Sequence, residues 1–247
     1  MFHIYQSTDL NDLFDKSMGL LMDEPSTHDR KQTPRILSYS NLLMSSSLEW
    51  NFDLSTVGFT KTRWPRYVHQ YFDLESLKGW LNSLPEISRR GENLFRSKDA
   101  IRRPREHKHG SCWLGLSFRM DPPTLILYSR VAEFPTRAAL ELTMVHKVGQ
   151  EISSRLKIPL NTIHLVWFIS SGFLSCLHLL PYLQSRGLLD EAYHRDDTVG
   201  EFIRHQVDHI KKGNVVYGPT KRMGKRVEQM KAGTVIPVPV ESISIWV

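Results

Sequence analysis

The sequence predicts an α+β fold, and three observations carry that expectation. Apolar residues recur at helical spacing in some segments, as at Leu10, Leu13, Phe14 and Leu21. Elsewhere they form short runs of strand type, as in "CWLGLSF" and "TLILYS". The two kinds of segment mix without the regular strand–helix–strand alternation of a doubly wound sheet.

Taken in order, the first helix has Ser7, Thr8 and Asp9 as candidate N-caps and should stop before Pro25. "STHDRKQT" (Ser26–Thr33) reads as a polar loop. From Ile36 to Phe52 the apolar pattern predicts strands and a turn. Gly58 and Pro65 break the stretch up to Arg66, which reads as a loop. Val68, Tyr71, Phe72, Trp80, Leu81 and Leu84 predict one or two helices up to Pro85. Glu86–His109 is the most polar tract and reads as a loop, with anion gripping as the sharper alternative. "HKHG" (His107–Gly110) lacks further ligands at zinc spacing, so no metal site is expected.

Two strands follow, joined through Asp121, Pro122 and Pro123 as a hairpin. Leu142, Val145, Val148, Ile152 and Leu156 mark an amphipathic helix, and "NTIHLVWFIS" a buried strand. Ser171–Ser185 is expected to be helical, with Pro181 at a kink or an end. Thr198 and Glu201 form a capping-box pattern ahead of another helix, and the tail alternates turns with strand-like runs.

Bulk properties narrow the class. A chain of 247 residues fits one domain. Its 23% charged residues argue against wholesale disorder. A formal charge of +6 suits an anionic partner, a nucleotide phosphate or a nucleic acid, without choosing between them. Two cysteines, Cys112 and Cys176, make no disulfide framework. The most apolar window, Thr162–Leu183, holds two histidines, a glycine and a proline, so it reads as core rather than as a membrane span. A cytoplasmic, reducing location is the expectation.

The chain resembles thymidylate synthase and the related phage deoxypyrimidine hydroxymethylases. The resemblance rests on ordered fragments. "DRKQT" (Asp29–Thr33) is similar to that family's "DRTGT" loop, and "FDLSTVGFTKTRW" (Phe52–Trp64) to its "GFPLTTKR" stretch. "RYVHQYF" (Arg66–Phe72) resembles its "RxIIHELL" helix. "SCWLGLSF…LILYSR" resembles "PCH…F…L…LYQRS", and "ELTMVHKV" resembles "LLTHMVAQV". "WFISSGFLSCLH" (Trp167–His178) stands where "HTxGDAHLYxNH" is expected. "VVYGPTKRMGKRVEQM" (Val215–Met230) is faintly similar to a family stretch that should precede the cysteine.

The resemblance implies one thymidylate synthase-like domain over 1–247, a mixed β-sheet flanked by helices, with a divergent region at about 187–247. It implies a homodimer and a one-carbon transfer, methyl or hydroxymethyl, to C5 of a pyrimidine deoxynucleotide. The donor would be 5,10-methylenetetrahydrofolate. Cys112 would be the nucleophile that adds to C6 of the ring. Arg30 and Arg130 would grip the phosphate, a task that suits the planar guanidinium. Arg102 and Arg103 would be a further arginine pair donated across the dimer.

Several positions depart from the family pattern. Gln70 stands where the catalytic glutamate belongs, and an amide cannot shuttle a proton as a carboxylate does. Trp113 replaces the histidine after the nucleophile, and much of the segment bearing the folate-packing tryptophans is missing. "SSGFLS" (Ser170–Ser175) replaces the ribose-binding stretch and offers Ser171, Phe173 and Ser175. The base-reading Asn is absent and Glu133 is the carboxylate nearby, either a reader of a cytosine amino group or a residue favoured by the helix macrodipole. Two other readings follow: the same chemistry on pyrimidines in polymeric DNA, whose 3′ oxygen is already esterified, or a non-catalytic nucleotide- or nucleic-acid-binding relative.

Overall fold

The computed structural model describes residues 3–23, 35–87, 93–96, 112–211 and 218–247. Six strands form one mixed sheet: β1 (His3–Gln6), β2 (Arg35–Ser47), β3 (Asn93–Arg96), β4 (Trp113–Arg119), β5 (Thr124–Phe134) and β6 (His164–Ser175). Their order across the sheet is β1-β2-β6-β5-β4-β3. β5 and β6 run parallel, as do β1 and β2, and the other neighbours are antiparallel. The fold is therefore α+β, with a mixed six-stranded sheet flanked by helices.

β4 and β5 are joined by the tight turn at Asp121–Pro123, as antiparallel neighbours can be. Parallel β5 and β6 need a longer crossover, which α4 (Thr136–Leu156) supplies. Together with α1 (Leu10–Asp23), α4 packs on one face of the sheet. That face buries Leu42, Met44, Leu116, Phe118, Leu125 and Leu127, with Leu165, Trp167 and Ile169 of β6. Phe14 of α1 sits at the centre of an aromatic cluster with Trp50, Phe52 and Phe134, ring centroids 5.1–6.1 Å apart. On the opposite face, Tyr128 stacks on its register partner Phe168 at 5.6 Å. Ile4 and Leu94 lie on that second face and are 65% and 53% exposed.

α2 (Trp64–Tyr71) and α3 (Leu74–Ile87) are two separate helices, and Pro85 lies within the second. Asp9 caps α1 by accepting the Asp12 amide at 2.9 Å. Four expectations are corrected. Residues 35–47 form one long strand rather than strands and a turn. β6 continues to Ser175, so the helix expected from Ser171 begins only at Cys176, as α5 (Cys176–Ser185). An unbroken apolar run has no period to separate strand from helix, which is why that boundary moved. The cap of α7 (Thr198–Lys211) is Asp197, whose Oδ1 accepts the Gly200 amide at 2.8 Å, rather than Thr198. The tail holds a helix, α8 (Gly218–Lys231), where turns and strand-like runs were expected; α6 (Leu189–His194) is a shorter helix before α7. Of the polar tract before Cys112, the short β3 is described; the rest of the expected loop lies largely outside the described residues.

The last segment straps the fold. The Leu54 amide donates to the Val238 carbonyl at 2.9 Å, and the Val240 amide donates to that of Phe52 at 3.0 Å. Trp64 Nε1 donates to the Ser244 carbonyl at 2.6 Å, and Trp246 Nε1 to Glu151 at 2.8 Å. Asp53 ties this strap to the body: its Oδ1 accepts the amides of Ser55 and Val238, and its Oδ2 accepts the Ser55 hydroxyl. Gly58, at φ +77°, closes the short helix Leu54–Val57 in the left-handed region that favours glycine. Asp53→Ala orphans two amides at once and is expected to cost about 2 kcal/mol of stability. A urea unfolding midpoint equal to that of the unmodified chain would refute this role.

No helix among the described residues is long and apolar enough to cross a membrane.

Candidate functional site around Cys112

Cys112 is a free, half-buried thiol immediately before β4. Its carbonyl accepts the amides of both Arg130 and Val131, at 2.7 and 3.3 Å, which anchors it to β5. The β4–β5 register shifts between Trp113 and Gly115, a bulge of the kind that re-aims side chains beside functional sites. Gly115 is required there: a Cβ would come within 2.5 Å of the Phe95 carbonyl oxygen. Burial along β5 changes phase at the same level. Leu125, Leu127 and Ser129 face the core, and beyond the exposed Arg130 it is Ala132 and Phe134 that do so.

Across from the thiol stands Arg137, in the first turn of α4. Its Nη1 lies 3.8 Å from Cys112 Sγ, and its Nε pairs with Glu133 Oε2 at 2.9 Å. One turn further along α4, Glu141 is completely buried. Ser129 Oγ donates to Glu141 Oε2 at 3.5 Å and accepts from Trp167 Nε1 at 2.9 Å. The other carboxyl oxygen, Oε1, has no hydrogen-bond partner. α2 closes the cluster from the far side. Tyr67 Oη donates to the Arg137 carbonyl at 3.4 Å, its ring lies 5.1 Å from that of Tyr71, and Tyr71 packs on Trp113 at 5.5 Å.

The electrostatics follow from burial. Desolvation pushes the Glu141 carboxyl up to about 8, against the pull of Arg137 and with a further push from Glu133. Burial likewise raises the Cys112 thiol, helped by Glu141 and opposed by Arg137. Both phenols are raised by desolvation. At neutral pH the resting cluster is thus a thiol, a protonated carboxyl, two phenols and one internal ion pair. The Arg137 guanidinium in contact with the sulfur opposes the rise of the thiol without outweighing it, so the resting thiol holds its proton.

The sequence-derived site residues divide by location. Cys112, Arg130 and Glu133 come to the same end of the sheet. Ser171 joins them, as the register partner of Val131 across β5 and β6, half-buried in its strand. Arg130 meets Cys112 through its backbone, and its side chain is exposed. Glu133 is held by Arg137. Phe173 is buried and Ser175 half-buried further along β6. Gln70 is exposed on α2, on the side carrying Arg66 and His69, away from the buried Val68 and Tyr71. Arg30, Arg102, Arg103 and the "HKHG" stretch lie outside the described residues. Among the described residues no group of three or more His, Cys, Asp or Glu is arranged to hold a metal ion.

Arg137, Glu141, Tyr67 and Tyr71 were missed by sequence reasoning. A signal existed: Arg137 and Glu141 are spaced by four, as are Tyr67 and Tyr71, which puts each pair on one helical face. It was hidden because the apolar pattern marks the fourth helix only from Leu142, whereas α4 begins at Thr136.

No protein-family model matches the chain, and no curated protein matches it at a significant level.

Proposed function

We propose that this chain transfers a one-carbon unit, methyl or hydroxymethyl, to C5 of a pyrimidine deoxynucleotide through a covalent bond between Cys112 Sγ and C6 of the ring. The observation that carries the reading is the 3.8 Å approach of the Arg137 guanidinium to the half-buried sulfur. In this reading the thiol gives its proton to solvent water as the ring docks, and Arg137 stabilises the thiolate. The sulfur lone pair forms the S–C6 bond while the C5=C6 electron pair moves toward C5, which becomes the carbon nucleophile. Arg130 and Arg30 hold the 5′ phosphate, with Arg102 and Arg103 as the additional pair. Glu133, already an acceptor for Arg137, and Ser171 flank the ring and sugar, and a thymidylate synthase-like fold is part of the same proposal.

The donor implied by the resemblance is 5,10-methylenetetrahydrofolate. Trp113, buried against Tyr71 and Phe72, is not available to stack on it. When bound, the donor would supply the one-carbon unit that C5 takes up. A second copy of the chain is the proposed partner, seated on the sheet face where Ile4 and Leu94 are exposed beside the Tyr128–Phe168 stack. A cytoplasmic location completes the proposal.

In a second reading the pyrimidine belongs to DNA, which fits the replacement of the ribose-binding stretch by "SSGFLS" (Ser170–Ser175) together with the basic charge. A base in duplex DNA must be flipped out before a buried thiol can reach it. One experiment separates these readings. Incubation with 5,10-methylenetetrahydrofolate and 5-fluoro-dUMP, 5-fluoro-dCMP or a single-stranded oligonucleotide carrying 5-fluorocytosine is followed by native mass spectrometry, which reads adduct and dimer together. The expected result is a mononucleotide adduct on a dimer that disappears in Cys112→Ser. An adduct with the oligonucleotide alone shifts the reading to DNA. Binding without any adduct leaves the non-catalytic relative, and a monomer removes the dimer.

A further inference from the structure

Two enclosed polar groups of the Cys112 cluster have hydrogen-bonding capacity left over. Glu141 Oε1 makes no hydrogen bond, and Tyr71 Oη has no partner at ordinary geometry and interacts only with the neighbouring Tyr67 phenol; their side chains are 0% and 1% exposed. Native proteins leave few such atoms unpaired, and each exception calls for a partner the protein has yet to meet. Filling space in the core does not explain Glu141. Arg137 stands one helical turn away, yet its guanidinium pairs with Glu133 instead. The carboxyl is oriented by a dedicated support: Trp167 holds Ser129, and Ser129 holds Oε2, which leaves Oε1 as the one free position.

Tyr71 is placed with equal care. Its ring is clamped between Trp113 and Tyr67, and Trp113 is the register partner of Ser129. The phenol from α2 and the carboxyl from α4 thus converge beside the strand end that carries Cys112.

We propose that Glu141 and Tyr71 form a paired hydrogen-bond donor at the closed end of the Cys112 site, built to hold a carbonyl oxygen of the planar ring that the thiol attacks. The inference rests on the reading of Cys112 as a nucleophile toward such a ring. Donors aimed at an oxygen that gains charge as the sulfur adds would stabilise the adduct in a site from which water is excluded. A carboxylate accepts only, so Glu141 can donate only while it keeps its proton, and burial holds that proton up to about pH 8. The charged and titratable groups around it are Arg137, which favours ionisation, and Glu133, which opposes it; Tyr67, Tyr71 and Cys112 each feel its charge.

The test has two arms. In the first, equilibrium binding of 5-fluoro-dCMP, whose ring does not titrate in this range, is measured from pH 6.5 to 9.5 in the Cys112→Ser background, where no covalent capture occurs. Affinity is expected to fall about tenfold as pH rises through 8, because the donor becomes an acceptor. Glu141→Gln keeps an N–H donor at every pH and should flatten the profile, and Tyr71→Phe should weaken binding about fivefold throughout. The second arm needs no nucleotide. The rate of Cys112 alkylation by iodoacetamide, read on the Cys112 peptide, should flatten near pH 8 as Glu141 ionises and opposes the thiolate. Glu141→Gln should remove that inflection. Ser129→Ala, which takes away a hydrogen bond that favours the carboxylate, should move it to higher pH and serves if the glutamine variant misfolds. Identical profiles in the parent and the variants overturn the donor pair. Failure of both 5-fluoro-dCMP and 5-fluoro-dUMP to bind at any pH instead sinks the nucleotide reading, and the alkylation arm then decides the Glu141–Cys112 coupling alone.

Discussion

Replacing Arg137 with methionine is expected to slow alkylation of Cys112 by iodoacetamide at pH 8 by about tenfold and to abolish adduct formation with 5-fluoropyrimidine nucleotides. The guanidinium is the positive charge in contact with the sulfur, and it works against burial and against Glu141, both of which hold the thiol in its neutral form. Taking it away makes the thiol hold its proton more tightly, and every tenfold tightening removes about nine-tenths of the thiolate available near neutral pH. The same change takes from Glu133, whose side chain keeps only 15% of its exposure, the guanidinium that neutralises it. A loss of about 1–3 kcal/mol in stability should accompany the kinetic effect, less than for a fully buried pair because Arg137 is itself partly exposed. Arg137→Lys separates the two consequences. A lysine supplies charge without the fork, so it should restore part of the alkylation rate while holding Glu133 less well. An alkylation rate unchanged in Arg137→Met would remove the thiolate role and leave Arg137 as a structural ion-pair residue.

Protein stability should fall as pH rises from about 5 to about 8, and Glu141 should be the main cause. The carboxyl ionises near 4.5 in an unfolded chain and near 8 in the folded protein. Between those values the folded state binds a proton that the unfolded state has released. Rising pH therefore favours unfolding across that window, and the penalty levels off above about 8. Its size is a few kcal/mol, since binding a proton ten times more tightly corresponds to about 1.4 kcal/mol and relaxation of a buried site absorbs part of the total. Glu141→Gln has nothing to ionise and should flatten the slope, whatever its stability at pH 5. Urea unfolding midpoints measured in half-unit steps of pH check this. Equal slopes in the parent and the glutamine variant would mean that Glu141 is ionised in the folded protein, which would also end its role as a donor.

These two expectations concern residues that no reading of the sequence selected. Cys112, Arg130, Glu133 and Ser171 were singled out because they stand at or near positions where ordered fragments of the chain resemble one family's motifs. The strands on either side of Asp121–Pro123 were legible as short apolar runs bounded by a turn, which needs no knowledge of what packs against them. α1, with its apolar spacing and Asp9 cap, was equally local. Arg137 was not, because the first turn of α4 is short of apolar residues on the periodic face and so did not look helical. Gln70 shows the reverse case. It was selected by alignment of a short fragment, and helix phase turns it outward while Tyr67 and Tyr71, three before and one after it, turn in.

By itself, the sequence determined that this protein is α+β, where α1, β4 and β5 run, and that a cysteine opens the β4–β5 hairpin. Those properties depend on side-chain period and on turn chemistry, which act between residues a few positions apart. Only the tertiary structure decided which charge meets the sulfur, that a glutamate keeps its proton beneath it, and that two tyrosines from a distant helix wall the site. Burial and the pairing of charges are set by neighbours brought together from four separate elements, and the protonation of a buried group is a property of that assembled neighbourhood rather than of any residue in it.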